Sequence, residues 1–154
     1  NNIKCEFEAS LIMLYTGISR ESGNIIERQI TKDSSGDADY FNKLNQLKKL
    51  TLVMKNALLE NNIAEFGNLL HDSWLIKRDL SSLVSNSLID KLYSIAKSNG
   101  AYGGKISGAG GGGFFTIICN PSSKGDINNA LMKYDLKPHS ISISKNGSES
   151  WEEF

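Results

Sequence analysis

Seven of the chain's 14 glycines crowd into residues 103–113, in the run Gly103-Gly104-Lys105-Ile106-Ser107-Gly108-Ala109-Gly110-Gly111-Gly112-Gly113. Ordering glycine costs more conformational entropy than ordering any other residue, so such a concentration needs a reason. One reason is that backbone free of side chains lets several N–H groups converge on an anion. A bulged hairpin is the plainer alternative. A flexible linker does not fit, because apolar, strand-like segments flank the run.

Familiar phosphate loops fail on context. Gly108, Gly110 and Gly113 satisfy G-x-G-x-x-G, but a dinucleotide fold needs that loop to open a helix. Phe114-Phe115-Thr116-Ile117-Ile118-Cys119 follows instead, rich in aromatic and β-branched residues that favour a strand. A P-loop needs Lys and then Ser or Thr after its last glycine, where Phe114 and Phe115 stand. A protein-kinase glycine loop does lie between strands, yet the chain has no H-R-D or D-F-G element.

The rest of the composition narrows the class. At 154 residues, with 40% hydrophobic residues, the chain suits one globular domain rather than a disordered segment. Its 17 basic and 17 acidic residues cancel, leaving no basic excess for nucleic acid. Cys5 and Cys119 have no metal-ligand spacing and are too few for a disulfide framework. A reducing, cytoplasmic setting is therefore expected. No apolar run approaches the roughly 20 residues needed to span a bilayer. The start, Asn1 to Glu6, is neither a signal nor a transit peptide. It lacks an initiator methionine, so the chain is expected to be part of something longer.

Periodicity lays out the elements. Ile3, Cys5, Phe7 and Ala9 alternate with polar residues and predict a half-buried strand. Leu11 to Thr16 is a short apolar run ending at Gly17, a second, more buried strand. Ser19 or Ser22 can cap a short helix carrying Ile25, Ile26 and Ile30. Phe41, Leu44, Leu47, Thr51, Met54 and Leu58 describe the buried stripe of a long helix. Ile63, Phe66, Leu69, Leu70 and Trp74 carry the next helix to about Asp79. A fourth helix has capping-box spacing at Ser87 and Asp90 and a stop at Asn99-Gly100. Strands on either side of the glycine run, a helix over 122–134 and a last strand over His139 to Ser144 complete the chain. The pattern predicts an α+β fold: an antiparallel sheet with helices packed on one face.

The run Lys105-Ile106-Ser107-Gly108-Ala109-Gly110-Gly111-Gly112-Gly113-Phe114 resembles the third conserved motif of the GHMP small-molecule kinases. Two further segments, Tyr15-Thr16-Gly17-Ile18-Ser19-Arg20-Glu21-Ser22 and His71-Asp72-Ser73-Trp74-Leu75-Ile76-Lys77-Arg78, resemble stretches of the D-glycero-D-manno-heptose 7-phosphate kinases within that superfamily. The resemblance implies a ferredoxin-like C-terminal domain that uses ATP and Mg²⁺ together with its own N-terminal domain. The family's ATP loop, Pro-x-x-x-Gly-Leu-Gly-Ser-Ser-Ala, is not in this sequence, nor is the segment that carries a catalytic aspartate where the family uses one. This stretch alone is expected not to turn over.

The resemblance assigns Ser107, Gly108, Ala109, Gly110, Gly111, Gly112 and Gly113 to phosphate oxygens by backbone donation. Lys105 adds a point charge there or stands as a solvated strand residue. Arg20, after the Thr16-Gly17 turn, suits bidentate capture of a sugar phosphate or is a surface arginine. His71, Trp74 and Arg78 share a helix face beside Lys77; Trp74, Lys77 and Arg78 are then substrate-binding candidates. Equally, Trp74 continues the apolar stripe and the two cations sit near a helix C-terminus. His139, beside Pro138 without a clustered partner, reads as structural. Trp151 to Phe154 packs on the sheet or at an interface. The expected acceptor is the anomeric hydroxyl of a heptose 7-phosphate, with a hexose or mevalonate as alternative. A regulatory module that binds a small anion and an oligomerisation domain are the rivals from other classes.

Overall fold

The strand that organises the fold is β1 (Leu11–Tyr15), the apolar run before Gly17. Its odd and even side chains face opposite ways, and both sides are used. Ile12 and Leu14 are buried with Ile117 and Phe115, their partners on β3 (Phe114–Cys119). Leu11 and its partner Ile118 are buried on the other side. β2 (Ala101–Ile106) pairs with β3, and β4 (Pro138–His139) pairs with β1. All pairings are antiparallel, in the order β2-β3-β1-β4. The computed structural model describes residues 2–17, 36–139, 141–144, 146–148 and 150. The helix expected around Ile25 to Ile30, Arg20, and residues 151–154 lie outside them.

Among the described residues five helices accompany the sheet: α1 (Asn2–Ser10), α2 (Ala38–Leu59), α3 (Ile63–Leu80), α4 (Ser87–Ser98) and α5 (Lys124–Met132). A short 3₁₀ turn, Pro121–Ser123, leads into α5. From β1 onward the succession is strand, helices, two strands, helix, strand. With this strand order it is the ferredoxin-like arrangement. The α+β fold with an antiparallel sheet is therefore present as expected. The face of Ile12, Leu14, Phe115 and Ile117 takes α4 through Ile89 and Leu92, and α5 through Ile127 and Leu131. An added layer lies opposite, where Leu11 and Ile118 meet Ile63 and Leu70 of α3, with Phe7, Met54 and Leu58 packed alongside.

Three sequence expectations are corrected. Residues 3–9 form α1, not a strand. Glu, Lys and Ala favour a helix, and Ile3 and Phe7 are equally well spaced for one turn. Phe7 meets Phe66 edge-on at 5.5 Å, and Lys4 pairs with Glu8 one turn on. The last strand ends at His139 rather than Ser144. Among the described residues β4 pairs with β1 at Met13 and Leu14. Beyond it the Ile143 N–H donates to the Glu8 carboxylate at 2.6 Å. The α2 stripe is only half-buried: Phe41 and Thr51 are exposed, while Tyr40 and Ala57 are the buried residues of that helix.

α3 closes one edge of the sheet. It lies so near β2 that a Cβ built on Gly103 would stand 2.0 Å from the Gly67 carbonyl oxygen. His71, one turn after Gly67, stacks on Tyr93 of α4 at 5.7 Å, and a 2.6 Å hydrogen bond joins His71 Nδ1 and the Tyr93 phenol oxygen.

Candidate functional site

Ser107 to Gly113 join β2 to β3. The hairpin is closed by the Ser107 N–H donating to the Phe114 carbonyl at 2.8 Å, and the Ser107 hydroxyl meets that of Thr116 at 3.0 Å. Gly108, Gly110, Gly111 and Gly113 all have left-handed φ values, between +76° and +113°. Gly110 is doubly constrained. Its φ is +113°, and a Cβ there would stand 2.7 Å from the Val84 carbonyl oxygen.

The loop's carbonyls and amides are treated differently. Lys77 of α3 donates to the Gly108 carbonyl. Asn86 Nδ2 donates to Gly111 O at 3.3 Å. Thr16 donates to Gly113 O twice, through its N–H and its hydroxyl, each at 2.9 Å. Two amides are engaged, Ser107 N–H with Phe114 and Gly111 N–H with Val84. Those of Gly108, Ala109, Gly110, Gly112 and Gly113 make no backbone hydrogen bond among the described residues. Surrounding elements thus hold the negative ends of the loop's peptide dipoles and leave positive ends uncommitted, the electrostatic profile of an anion nest.

Asn86 also corrects the helix cap. Its side chain accepts from Ile89 N–H at 3.0 Å, making it the N-cap of α4 in place of Ser87. Asp90 does not complete a capping box. Its carboxylate takes the Ser85 hydroxyl at 2.7 Å and pairs with Arg78 at 3.2 Å.

That pairing separates the basic candidates. Arg78 is held by Asp90 and braces α3 against α4, whereas Lys77 reaches the loop. Burial pushes the Lys77 ammonium down to about 8, and the Lys105 charge adds to the effect. Lys77 and Lys105 thus share one field beside the loop. Trp74 is the correction here: it is 0% exposed in the main core, beside Tyr93, and offers no ring face to a sugar. The i, i+3, i+7 face from His71 to Arg78 therefore divides among a stacked pair, the core and an ion pair.

Thr16, Val84 and Asn86 were not singled out by the sequence. Asn86, a side-chain acceptor just before a periodic run, carried a readable capping signal. Thr16 and Val84 carried none, because they meet the loop only through the tertiary fold.

Lys77 gives a pH signature. Its pKa is lower in the folded chain than the ordinary 10.5, so the unfolded chain binds more protons between about pH 8 and 10.5. Stability must then rise with pH across that window, and the penalty is fully present below it. Relative to Lys77→Met, the wild-type chain is expected to gain stability from pH 8 to 10.5 in parallel denaturant titrations. A relative loss would contradict the assignment.

Among the described residues no three His, Cys, Asp or Glu side chains gather where they could hold a metal ion. No helix there is long and apolar enough to cross a membrane.

A family model described as GHMP kinases C terminal matches residues 54–134, just over half of the chain. A D-glycero-alpha-D-manno-heptose 7-phosphate kinase of Campylobacter jejuni is 34% identical over 151 residues, covering 98% of this chain and 44% of that protein. The L. major mevalonate kinase solved with R-mevalonate shares the fold at a TM-score of 0.77 and 16% identity, over 87% of this chain and 42% of that one. A D-glycero-D-manno-heptose 1-phosphate kinase from Bacteroides thetaiotaomicron gives a TM-score of 0.63 at 20% identity, over 99% and 38%. The chain spans less than half the length of the curated relatives it matches. A glycine hairpin of this build, on a ferredoxin-like sheet with that sequence match, belongs to the GHMP kinase family, whose C-terminal domain this chain represents.

Proposed function

We propose that this chain is the C-terminal half of an ATP-dependent sugar kinase, and that it presents its glycine loop to the phosphoryl group in transit. The observation that carries the reading is the division within the loop: carbonyls held from three sides, amides left free. Phosphoryl transfer asks mainly for positioning and for donors aimed where charge builds up. The amides of Gly108, Ala109, Gly110, Gly112 and Gly113 supply such donors, and Lys77 and Lys105 supply positive charge. Ser107 and Gly111 instead use their amides to set the loop's shape. Arg20 is retained as a sugar-phosphate ligand on sequence grounds, and Arg78 as a brace.

The proposed acceptor is the anomeric hydroxyl of D-glycero-D-manno-heptose 7-phosphate, supported by the 34% identity that runs through 98% of the chain. ATP, bound with Mg²⁺, supplies the phosphoryl group. Among the described residues no three His, Cys, Asp or Glu side chains gather to hold a metal ion by themselves, and nucleotide binding is assigned mainly to an N-terminal domain.

The test is phosphoryl transfer by the full-length polypeptide that contains this chain. Heptose 7-phosphate is expected to exceed galactose and mevalonate in kcat/KM. Gly110→Ala keeps the amide N–H but forces a Cβ against the Val84 backbone at a φ of +113°, so the loop must shift and its donors lose their aim. The expected fall in kcat is about 10²–10³, as when an oxyanion donor is lost. A variant transferring at the wild-type rate, or a preference for another acceptor, would overturn the corresponding part of the proposal.

A further inference from the structure

The connectivity brings three connections to one end of the sheet. β1 runs antiparallel to β3 and β4, and β2 runs antiparallel to β3. β1 and β2 therefore finish where β3 and β4 begin. The glycine loop, the Thr16-Gly17 turn and the link from α5 to β4 share that end.

Between the turn and the link lies a cavity of about 420 Å³, whose lining includes Tyr15, Thr16, Tyr134, Asp135, Lys137 and His139. Its size suits a small ligand. We propose that it seats the phosphate end of the sugar-phosphate acceptor, with Lys137 and His139 donating to the phosphate and the tyrosine rings flanking the sugar. This inference rests on the kinase reading above and locates part of its substrate.

Four observations support it. Tyr15 and Tyr134 are 39% and 37% exposed, so their rings are available. Tyr15, Phe114 and His139 form an aromatic row, with centroids 5.4 Å and then 5.6 Å apart, that fixes the imidazole at its end. Lys137 and His139 are exposed and hold no ion pair among the described residues, and Lys91 lies over the Tyr134 ring at 4.9 Å as a further cation. Finally, Thr16 both lines the cavity and donates twice to Gly113 O. A ligand seated here borders the loop where transfer is proposed. Asp135, in a left-handed turn at φ +60°, is the acceptor for a sugar hydroxyl. His139, structural on its sequence alone, becomes a ligand.

The test measures Kd on the full-length polypeptide for heptose 7-phosphate, unphosphorylated heptose and ADP, in wild type and in Lys137→Met/His139→Gln. Both positions are exposed, and an unchanged Tm verifies that the variant is folded. Losing charge-assisted hydrogen bonds should raise the Kd for heptose 7-phosphate about tenfold or more, with the other two unchanged. An unchanged Kd, or equal losses for both sugars, overturns the subsite and leaves the kinase reading standing. Wild-type protein that binds neither ADP nor heptose 7-phosphate overturns both.

Discussion

Truncating Trp74 to alanine is expected to cost about 3–5 kcal/mol of folding stability, seen as a lower urea midpoint at an unchanged slope. Domains of this size hold only about 5–15 kcal/mol in total, so the variant will be close to unfolding at physiological temperature. The side chain is 0% exposed and packs beside Tyr93, with centroids 6.2 Å apart, in the cluster that joins α3, α4 and the sheet. Its indole Nε1 is buried without a hydrogen-bond partner among the described residues. Trp74→Phe removes that unsatisfied donor together with some apolar area, two effects of opposite sign, and should cost far less than alanine. If alanine were tolerated within about 0.5 kcal/mol while sugar-phosphate affinity fell, Trp74 would be a ligand plate after all.

Gly103→Ala is expected to destabilise by about 3 kcal/mol, the upper range for overpacking a core. The new Cβ would meet the Gly67 carbonyl oxygen at 2.0 Å and the His71 amide nitrogen at 2.8 Å. Both are backbone atoms of α3, so no side chain can swing aside and the helix itself must move. That movement pulls His71 from Tyr93, and the loss of their 2.6 Å hydrogen bond adds to the cost. Gly125→Ala is the matched control. It lies within α5 with nothing within 4 Å of its would-be Cβ, and should stabilise by about 0.5–1 kcal/mol. Urea unfolding of the two variants side by side checks both signs. A neutral Gly103→Ala would mean that α3 does not rest on β2 as described.

Long-range periodicity made most of the fold readable. The stripe from Ile63 to Trp74 and the β-rich flanks of the glycine run each specify one element type, and the structure has those elements. Misreadings arose where a pattern was short. Four alternating residues from Ile3 to Ala9 fit a helix turn as well as a strand, and packing of Phe7 on Phe66 decided the matter. The alternation through Ile141 and Ile143 likewise carries no signal for where pairing with β1 stops. At the site the sequence announced the glycine loop but not its wiring. That Lys77 reaches Gly108 while its neighbour Arg78 goes to Asp90 follows from how α3 sits on α4. The same seating explains why Trp74, between two site candidates in sequence, is core.

The pairing of β1 with β3 sets an order of events on the chain's route to this fold. Thr16 and Gly113, joined by two hydrogen bonds, are 97 positions apart. The hairpin of β2 and β3 needs only its seven-residue loop and can close in microseconds. β1, the central partner, gains its neighbour only after the loop-closure entropy of nearly a hundred residues has been overcome, and such non-local pairings slow folding. A chain emerging amino-terminus first therefore exposes the apolar strand Leu11 to Tyr15 long before β3 exists to cover it.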